Sequence, residues 1–217
     1  MNLLFDLDGT LTDSYPGIVN SFCHTMTAMG RPAPETAQLQ SLIGPPLRDG
    51  LALLLDTKEP AVLETAVARY REYFAAQGMY ENTVYPGIRR SLAALRDSGA
   101  ALWVVTSKTE VFARKIAAHF GLAPYFAGIT GSAADGSHSS KTEMIAGVMA
   151  RSGLDPEKTA MIGDRKYDII GALDNGITAV GVLWGYGTET ELSGAGASVL
   201  CREPAELPFA IQCKLQF

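Results

Sequence analysis

Two aspartates close to the N-terminus, Asp6 and Asp8, are the residues of this sequence best suited to chemistry. The short apolar run 2–7, broken by Asp8-Gly9-Thr10, is typical of a buried parallel strand that ends in a turn. Residues two apart on a strand face the same way, so both carboxylates would point into one site. Such a pair persists if a cation neutralises one carboxylate or if one stays protonated, and phosphoryl transfer uses both of these states.

Hydroxyl and amino groups follow the second apolar run, 101–105, at Thr106-Ser107-Lys108. The hydroxyls and backbone N–H groups suit phosphate oxygens, and the segment is expected to lead into a helix N-terminus. Lys141 stands at the start of another helical pattern, where a cation opposes the helix dipole unless an anion lies nearby. Ser and Thr are also ordinary helix caps, and an isolated lysine is often only surface charge, so neither feature decides the matter alone.

Asp164 and Asp168 form a fourth cluster. They follow the strand pattern 160–162, and carboxylate oxygens are ligands that magnesium prefers. Ligands bind at the carboxyl ends of strands in an open parallel sheet, and all four clusters stand at such ends. The sequence has no Gly-x-x-x-x-Gly-Lys-Ser/Thr phosphate loop and no Gly-x-Gly-x-x-Gly loop after the first strand. It also has no Gly-x-Ser-x-Gly elbow, and its histidines are unclustered. These observations together predict one phosphate site that uses carboxylates.

The elements that would position these clusters alternate between strand and helix, which indicates an α/β fold with a parallel sheet and helices on both faces. Further strand patterns lie at 128–130, 159–162 and 178–183. The first two strands are separated by residues 8–101, far more than a crossover needs, and apolar residues recur there at helical spacing. We therefore predict a discontinuous α/β core, residues 1–14 and 84–217, with an inserted all-helical cap at 15–83.

Four motifs of the chain resemble those of the haloacid dehalogenase superfamily, and they occur in the same order. Phe5-Asp6-Leu7-Asp8-Gly9-Thr10-Leu11 is similar to the first motif, and Thr106-Ser107, Lys141 and the segment from Gly163-Asp164 to Asp168 resemble the other three. The match spans the core, and the helical insert resembles the cap of the phosphoglycolate phosphatase-like branch. The resemblance implies a Rossmann-like core and a Mg²⁺-dependent phosphoric monoester hydrolase that forms an aspartyl-phosphate.

The resemblance also implies a role for each matching residue. Asp6 would be the nucleophile, and Asp8 would be the general acid and base. Magnesium would be held by Asp6, by the backbone carbonyl of Asp8 and by Asp164. Asp168 would either bind the metal as well or contact the residues that bind it. The phosphoryl group would be held mainly by Ser107 and Lys141, and the expected binding site comprises Gly9, Thr106, Ser107, Lys108 and Lys141.

Several activities share these motifs. Phosphoglycolate is the leading substrate expected from the resemblance, followed by a nucleoside 5'-monophosphate, because 5'-nucleotidases share this type of cap. A sugar phosphomutase keeps both aspartates of the first motif and stays open as an alternative. Asp8 argues against the dehalogenase and phosphonate hydrolase branches. A non-catalytic phosphate-binding module would be expected to lack one of the acidic positions, and all of them are present here.

Substrate choice is expected to depend on the cap, because the four clusters would contact only the phosphoryl group and the metal. The rigid turn Gly44-Pro45-Pro46-Leu47-Arg48 could carry Arg48 over the site, where its guanidinium would bind a substrate carboxylate. A plain helix connector with a surface arginine is the alternative. Tyr70, Tyr73 and Phe74 could stack on a nucleobase, although their helical spacing favours core packing.

Composition restricts the partners. The chain has 217 residues, 47% of them hydrophobic, and a net charge of −5 with no basic run, which disfavours nucleic acid polymers and anionic membranes. No stretch approaches the ~20 apolar residues that span a bilayer, and three widely spaced cysteines suggest neither disulfides nor a zinc site. We expect a cytoplasmic monomer or homodimer that acts on a small phosphorylated metabolite.

Overall fold

A computed structural model describes residues 1–35, 38–39, 42–133 and 140–215. The chain divides into two compact units. The sheet unit comprises Met1–Thr12 and Val84–Phe217, and the helical unit comprises Asp13–Thr83. The division into a catalytic core and a cap, with boundaries after residues 14 and 83, stays a prediction.

A six-stranded parallel sheet forms the centre of the sheet unit, in the order β5-β4-β1-β6-β7-β8. Its first strand is central: Asn2 pairs with Ala101 on one side and with Thr159 on the other. Two further short strands, β2 and β3, pair with each other. The strands are β1 (Asn2–Phe5), β2 (Thr12–Asp13), β3 (Thr83–Val84), β4 (Ala101–Thr109), β5 (Gly128–Ser132), β6 (Thr159–Gly163), β7 (Thr178–Val182) and β8 (Val199–Cys201).

The helical unit contains α1 (Tyr15–Ala28), α2 (Leu47–Leu55) and α3 (Pro60–Tyr73), and a π-helical turn, Phe74–Gly78, follows α3. Aromatic rings fill its interior: Phe22 packs edge-on against Tyr70 at 5.0 Å, and Tyr70 stacks on Phe74 at 5.7 Å between ring centroids. Tyr70 and Phe74 are both buried in this core, so their helical spacing reflects core packing. Neither ring is therefore exposed for stacking on a nucleobase.

Apolar residues at helical spacing define the helices of the sheet unit. In α4, Ile88, Leu92 and Leu95 are all buried. Helix α6 is followed by Gly153, which caps its C-terminus. Gly153 has a φ of 62°, a left-handed conformation that glycine adopts with less strain than other residues. The helices are α4 (Ile88–Asp97), α5 (Glu110–His119), α6 (Lys141–Ser152), α7 (Lys166–Asp174), α8 (Glu189–Gly194) and α9 (Leu207–Leu215). The prediction of a parallel α/β sheet is confirmed.

The structure differs from the sequence expectations at two strands. The second core strand does not end before Thr106: β4 continues to Thr109, with a register shift against β5 between these residues. Strand β8, only three residues long, was not predicted, because so short a segment carries no clear alternation.

No helix within the described ranges is long and apolar enough to cross a membrane.

Two glycines in helices allow a matched test of close packing. A Cβ on Gly17 would lie 1.9 Å from the carbonyl oxygen of Gly78, so Gly17→Ala must push two backbone segments apart. We expect this change to lower the free energy of unfolding by about 2 kcal/mol. A Cβ on Gly194 would meet nothing within 4 Å, and alanine favours helix, so Gly194→Ala should be neutral or stabilise by up to about 1 kcal/mol. Denaturant unfolding measures both variants, and equal effects would contradict the packing argument.

Candidate active site

Three aspartates meet at the carboxyl edge of the sheet. Asp6 follows β1, Asp164 follows β6, and Asp168 lies in the first turn of α7. One oxygen from each lies within 4.8 Å of the other two, and all three side chains are buried. Strands β1 and β6 are neighbours, and the Asp6 N–H donates to the carbonyl of Ile162 at 2.9 Å, so the sheet register itself brings Asp6 beside the end of β6. We call this group the aspartate cluster.

Lys141, the first residue of α6, places its ammonium between two members of the cluster. Its Nζ lies 2.9 Å from Asp6 Oδ1 and 2.8 Å from Asp168 Oδ1. It also donates a hydrogen bond to the carbonyl of Val105 at 3.0 Å. Burial alone would lower the pKa of Lys141, but Asp168 and Asp6 outweigh burial and raise it above its ordinary value. The side chain is therefore a fixed cation that holds two carboxylates at set positions.

Asp164 is held by two donors that the sequence analysis did not single out. The Thr10 hydroxyl donates to its Oδ1 at 3.1 Å, and the backbone N–H of Tyr186 donates to its Oδ2 at 2.9 Å. Gly9 packs directly on this carboxylate, since a Cβ there would lie 2.3 Å from Asp164 Oδ2, and its φ is +83°. Thr10 stands within the first motif, but Tyr186 is marked only by the glycines on either side of it.

Asp168 is fixed from its own helix and from β6. Its Oδ2 accepts the backbone N–H of Arg165 at 3.1 Å, just before α7 begins. A Cβ on Gly163 would lie 2.2 Å from Asp168 Cγ, so a glycine is required where β6 ends. The spacing from Gly163 to Asp168 therefore reflects one compact turn that returns the second carboxylate to the end of the strand.

Asp8 pairs with a different lysine. Lys108 Nζ lies 3.1 Å from Asp8 Oδ2, and both side chains are mostly buried. The Lys108 backbone N–H donates to the Thr106 hydroxyl at 3.2 Å within the irregular end of β4, and Ser107 is partly buried there. The two aspartates of the first motif thus each have a lysine partner. The expected phosphate-binding roles of Gly9, Thr106, Ser107 and Lys108 stay predictions.

Arg48 lies in the helical unit, in the first turn of α2. Its guanidinium forms an ion pair with the Glu64 carboxylate of α3, and both side chains are exposed. Its expected contact with the substrate stays a prediction.

The aspartate cluster suits a divalent cation. The Lys141 ammonium contacts only two of the three buried carboxylates, Asp6 and Asp168, so the ionised cluster would carry an excess of negative charge away from water. Burial above all, and then Asp168 and Asp6, raise the pKa of Asp164 well above its ordinary value. A cation with oxygen ligands would offset this repulsion, and Mg²⁺ prefers such ligands. The cluster is the one group of three potential metal ligands in the part of the chain that the structure describes.

Comparison with known proteins identifies the family to which this chain belongs. Residues 3–182 match the haloacid dehalogenase-like hydrolases, and the chain belongs to this family, as its motifs predicted. A 5'-nucleotidase of Pseudomonas aeruginosa is 42% identical over 95% of this chain and 93% of its own length. A phosphoglycolate phosphatase of Agrobacterium fabrum is 33% identical over 84% of this chain and 80% of its own.

A third relative has a different name. The tyrosine-protein kinase PtkA of Mycobacterium tuberculosis is 43% identical over 85% of this chain, and the match spans 62% of that longer protein. Taken with the family and the two phosphatases, the comparisons confirm that this chain is a phosphoric monoester hydrolase of the haloacid dehalogenase-like type.

The pKa values of the cluster predict how a cation affects stability. Burial raises the pKa of Asp168 from 3.8 to about 6, Lys141 partly offsets this, and Asp6 adds to it. A carboxyl whose pKa is higher in the folded chain weakens folding wherever it is ionised, so Asp168 should cost stability increasingly as the pH rises from about 4 through 6. Asp164, whose pKa is also raised, should add to this cost where it ionises. A divalent cation that binds the ionised carboxylates should therefore stabilise the protein more near pH 7.5 than near pH 5.

Denaturant unfolding with EDTA and with saturating Mg²⁺, at about pH 5 and about pH 7.5, measures this difference. An equal gain from Mg²⁺ at both pH values would contradict the assignment of the ligands.

Proposed function

We propose that this protein is a Mg²⁺-dependent phosphatase that transfers the phosphoryl group of a nucleoside 5'-monophosphate to Asp6 and then to water. The observation that supports this most directly is the buried Lys141 ammonium between Asp6 and Asp168, with Asp164 in the same cluster. The arrangement combines a carboxylate nucleophile, a fixed cation and a set of oxygen ligands at one edge of the sheet.

In the first half of the proposed reaction, Asp6 attacks phosphorus. Lys141 holds one carboxylate oxygen of Asp6, and the other oxygen forms the bond to phosphorus while the bond to the ester oxygen breaks. Asp8 in its protonated form gives its proton to that leaving oxygen. Lys141 also offsets negative charge on the oxygens of the transferred group.

In the second half, water attacks the aspartyl-phosphate. Asp8, ionised after the first half, takes a proton from the water as its oxygen bonds to phosphorus, and the bond to Asp6 breaks. Phosphate leaves, and both aspartates return to their starting states. Lys108, whose Nζ lies 3.1 Å from Asp8 Oδ2, would hold the Asp8 carboxylate between the two halves of the reaction.

Asp6, the Asp8 backbone carbonyl and Asp164 would hold Mg²⁺, with Asp168 beside them. The ion would supply Lewis-acid stabilisation of charge on the phosphoryl oxygens. Thr10 and the Tyr186 N–H keep both oxygens of Asp164 in place for this role.

The choice of a nucleotide as substrate rests on the 5'-nucleotidase relative, which matches over more of its length, and with higher identity, than the phosphoglycolate phosphatase. The ion pair between Arg48 and Glu64 also favours it, because that arginine already has a carboxylate partner. Phosphoglycolate is the second candidate, since it would offer Arg48 a competing carboxylate.

Asp6→Asn tests the nucleophile. The amide is nearly isosteric but cannot attack phosphorus, so kcat should fall by about a thousandfold or more, which corresponds to about 4 kcal/mol of barrier. Phosphate release from a nucleoside monophosphate measures this, and Asp97→Asn, an exposed aspartate at the end of α4, serves as the matched control with unchanged kcat. Residual activity of Asp6→Asn within about tenfold of wild type would exclude Asp6 as the nucleophile.

A substrate panel tests the specificity. Wild type should show a kcat/KM for nucleoside 5'-monophosphates at least about tenfold above those for phosphoglycolate, sugar phosphates and an aryl phosphate. A higher value for phosphoglycolate would overturn the nucleotide proposal. Conversion of one sugar phosphate to another without phosphate release would indicate the phosphomutase alternative.

Arg48→Ala on the same panel separates the two leading substrates. If Arg48 binds a substrate carboxylate, the variant should lose roughly 1.5 to 3 kcal/mol in kcat/KM for phosphoglycolate alone. If the nucleotide proposal holds, the loss for nucleoside monophosphates should stay within about threefold. Arg69→Ala is the control, because Arg69 also forms an exposed ion pair in the helical unit, with Glu72 on the same helix.

A further inference from the structure

The segment that follows β7, residues 184–191, packs against the loop that carries Asp164. The Tyr186 N–H donates to Asp164 Oδ2 at 2.9 Å, and a Cβ on Gly187 would lie 1.9 Å from the Asp164 carbonyl oxygen. The Trp184 indole N–H donates to the carbonyl of Thr10 at 3.0 Å. This segment, which we call the post-β7 segment, therefore approaches the aspartate cluster from the β7 side without contributing a carboxylate to it.

Glu191, at the end of the post-β7 segment, holds the start of α7. Its Oε1 accepts two hydrogen bonds, from the Arg165 side-chain Nε at 2.9 Å and from the Lys166 backbone N–H at 3.0 Å. Burial opposes the ionised form of Glu191, but the Lys166 N–H and the Arg165 guanidinium outweigh it and lower the pKa of this carboxyl. Glu191 is thus an ionised carboxylate fixed to two consecutive residues.

Those two residues lie between the aspartates of the fourth motif. The backbone N–H of Arg165 donates to Asp168 Oδ2 at 3.1 Å, so Arg165, together with Lys141, fixes the position of the Asp168 carboxylate. Glu191 fixes Arg165 from the other side. A continuous set of hydrogen bonds therefore connects Glu191 to a member of the aspartate cluster that it does not touch.

We infer that Glu191 is a positioning residue for the metal site: it fixes the 164–168 turn so that Asp164 and Asp168 are held ready to bind a divalent cation. This inference rests on the proposed Mg²⁺-dependent function. Groups that hold metal-binding carboxylates in place commonly change metal affinity when they are removed, although they do not contact the ion.

A second glutamate on α8 shows how the Glu191–Arg165 pair differs from an ordinary surface ion pair. Glu189, two residues earlier on α8, pairs with Arg202 at 3.0 Å, and the two side chains are 57% and 70% exposed. The Glu191 and Arg165 side chains are only 21% and 12% exposed. Exposed pairs contribute little to stability, whereas the partly buried pair joins two segments of the site. Glu189 is therefore a matched control for Glu191.

Mg²⁺ binding to the resting protein, measured by titration calorimetry without substrate, tests the inference. Glu191→Ala should raise the Kd for Mg²⁺ by about tenfold or more, and Glu189→Ala should leave it within about twofold of wild type. The Mg²⁺ concentration for half-maximal phosphatase activity should rise in parallel, with most of kcat recovered at saturating Mg²⁺.

The outcomes separate the inference from the function on which it rests. A Glu191→Ala protein that folds and binds Mg²⁺ as wild type does would overturn the positioning role alone. If Glu191→Ala fails to fold, Glu191→Gln gives the answer: it keeps an acceptor for Lys166 but loses the charge opposite Arg165, so an intermediate rise in Kd is expected and an unchanged Kd overturns the role. Absence of Mg²⁺ binding by wild type would overturn the proposed function itself and the inference with it.

Discussion

The contact of the Lys141 ammonium with Asp6 and Asp168 is the interaction on which the rest of the site depends. Three carboxylates remain buried together only if positive charge or protonation offsets their repulsion, and this lysine supplies the charge for Asp6 and Asp168 from the first turn of α6. Its third hydrogen bond, to the carbonyl of Val105, ties the ammonium to β4 as well. One side chain thus connects the end of β1, the middle of β4, the start of α6 and the first turn of α7.

Close backbone packing around the carboxylates accounts for the glycines of the site. Gly9 and Gly163 each leave the space that an aspartate side chain occupies, and a Cβ on Gly185 would lie 2.3 Å from the Gly9 carbonyl oxygen. Because three segments approach the same two carboxylates, little room exists for water around them, and their pKa values rise as a result. The same packing that raises these pKa values leaves the oxygens in a fixed arrangement that a cation can bind.

The sequence predicted those parts of the fold and site that depend on periodicity and on strand ends. Asp6, Asp164, Asp168 and Lys141 could be placed together because each follows or precedes a clear apolar pattern in a parallel sheet. The Tyr186 N–H could not be predicted, because a backbone donor has no residue type that marks it. The Asp8 pairing with Lys108 was missed for another reason: β4 was expected to end before Thr106, and its irregular continuation directs Lys108 to Asp8.

The central position of β1 has a consequence for how the protein folds. Asn2–Phe5 precedes both of its hydrogen-bond partners along the chain, since β4 begins at Ala101 and β6 begins at Thr159. During synthesis, one edge of β1 therefore stays unpaired until β4 has been made, and the other edge stays unpaired until β6 has been made. Pairing between strands so distant in sequence closes long loops and slows folding, and unpaired apolar strands are prone to aggregate. Strand β1 is thus exposed to aggregation in the nascent chain until both of its partner strands have been made.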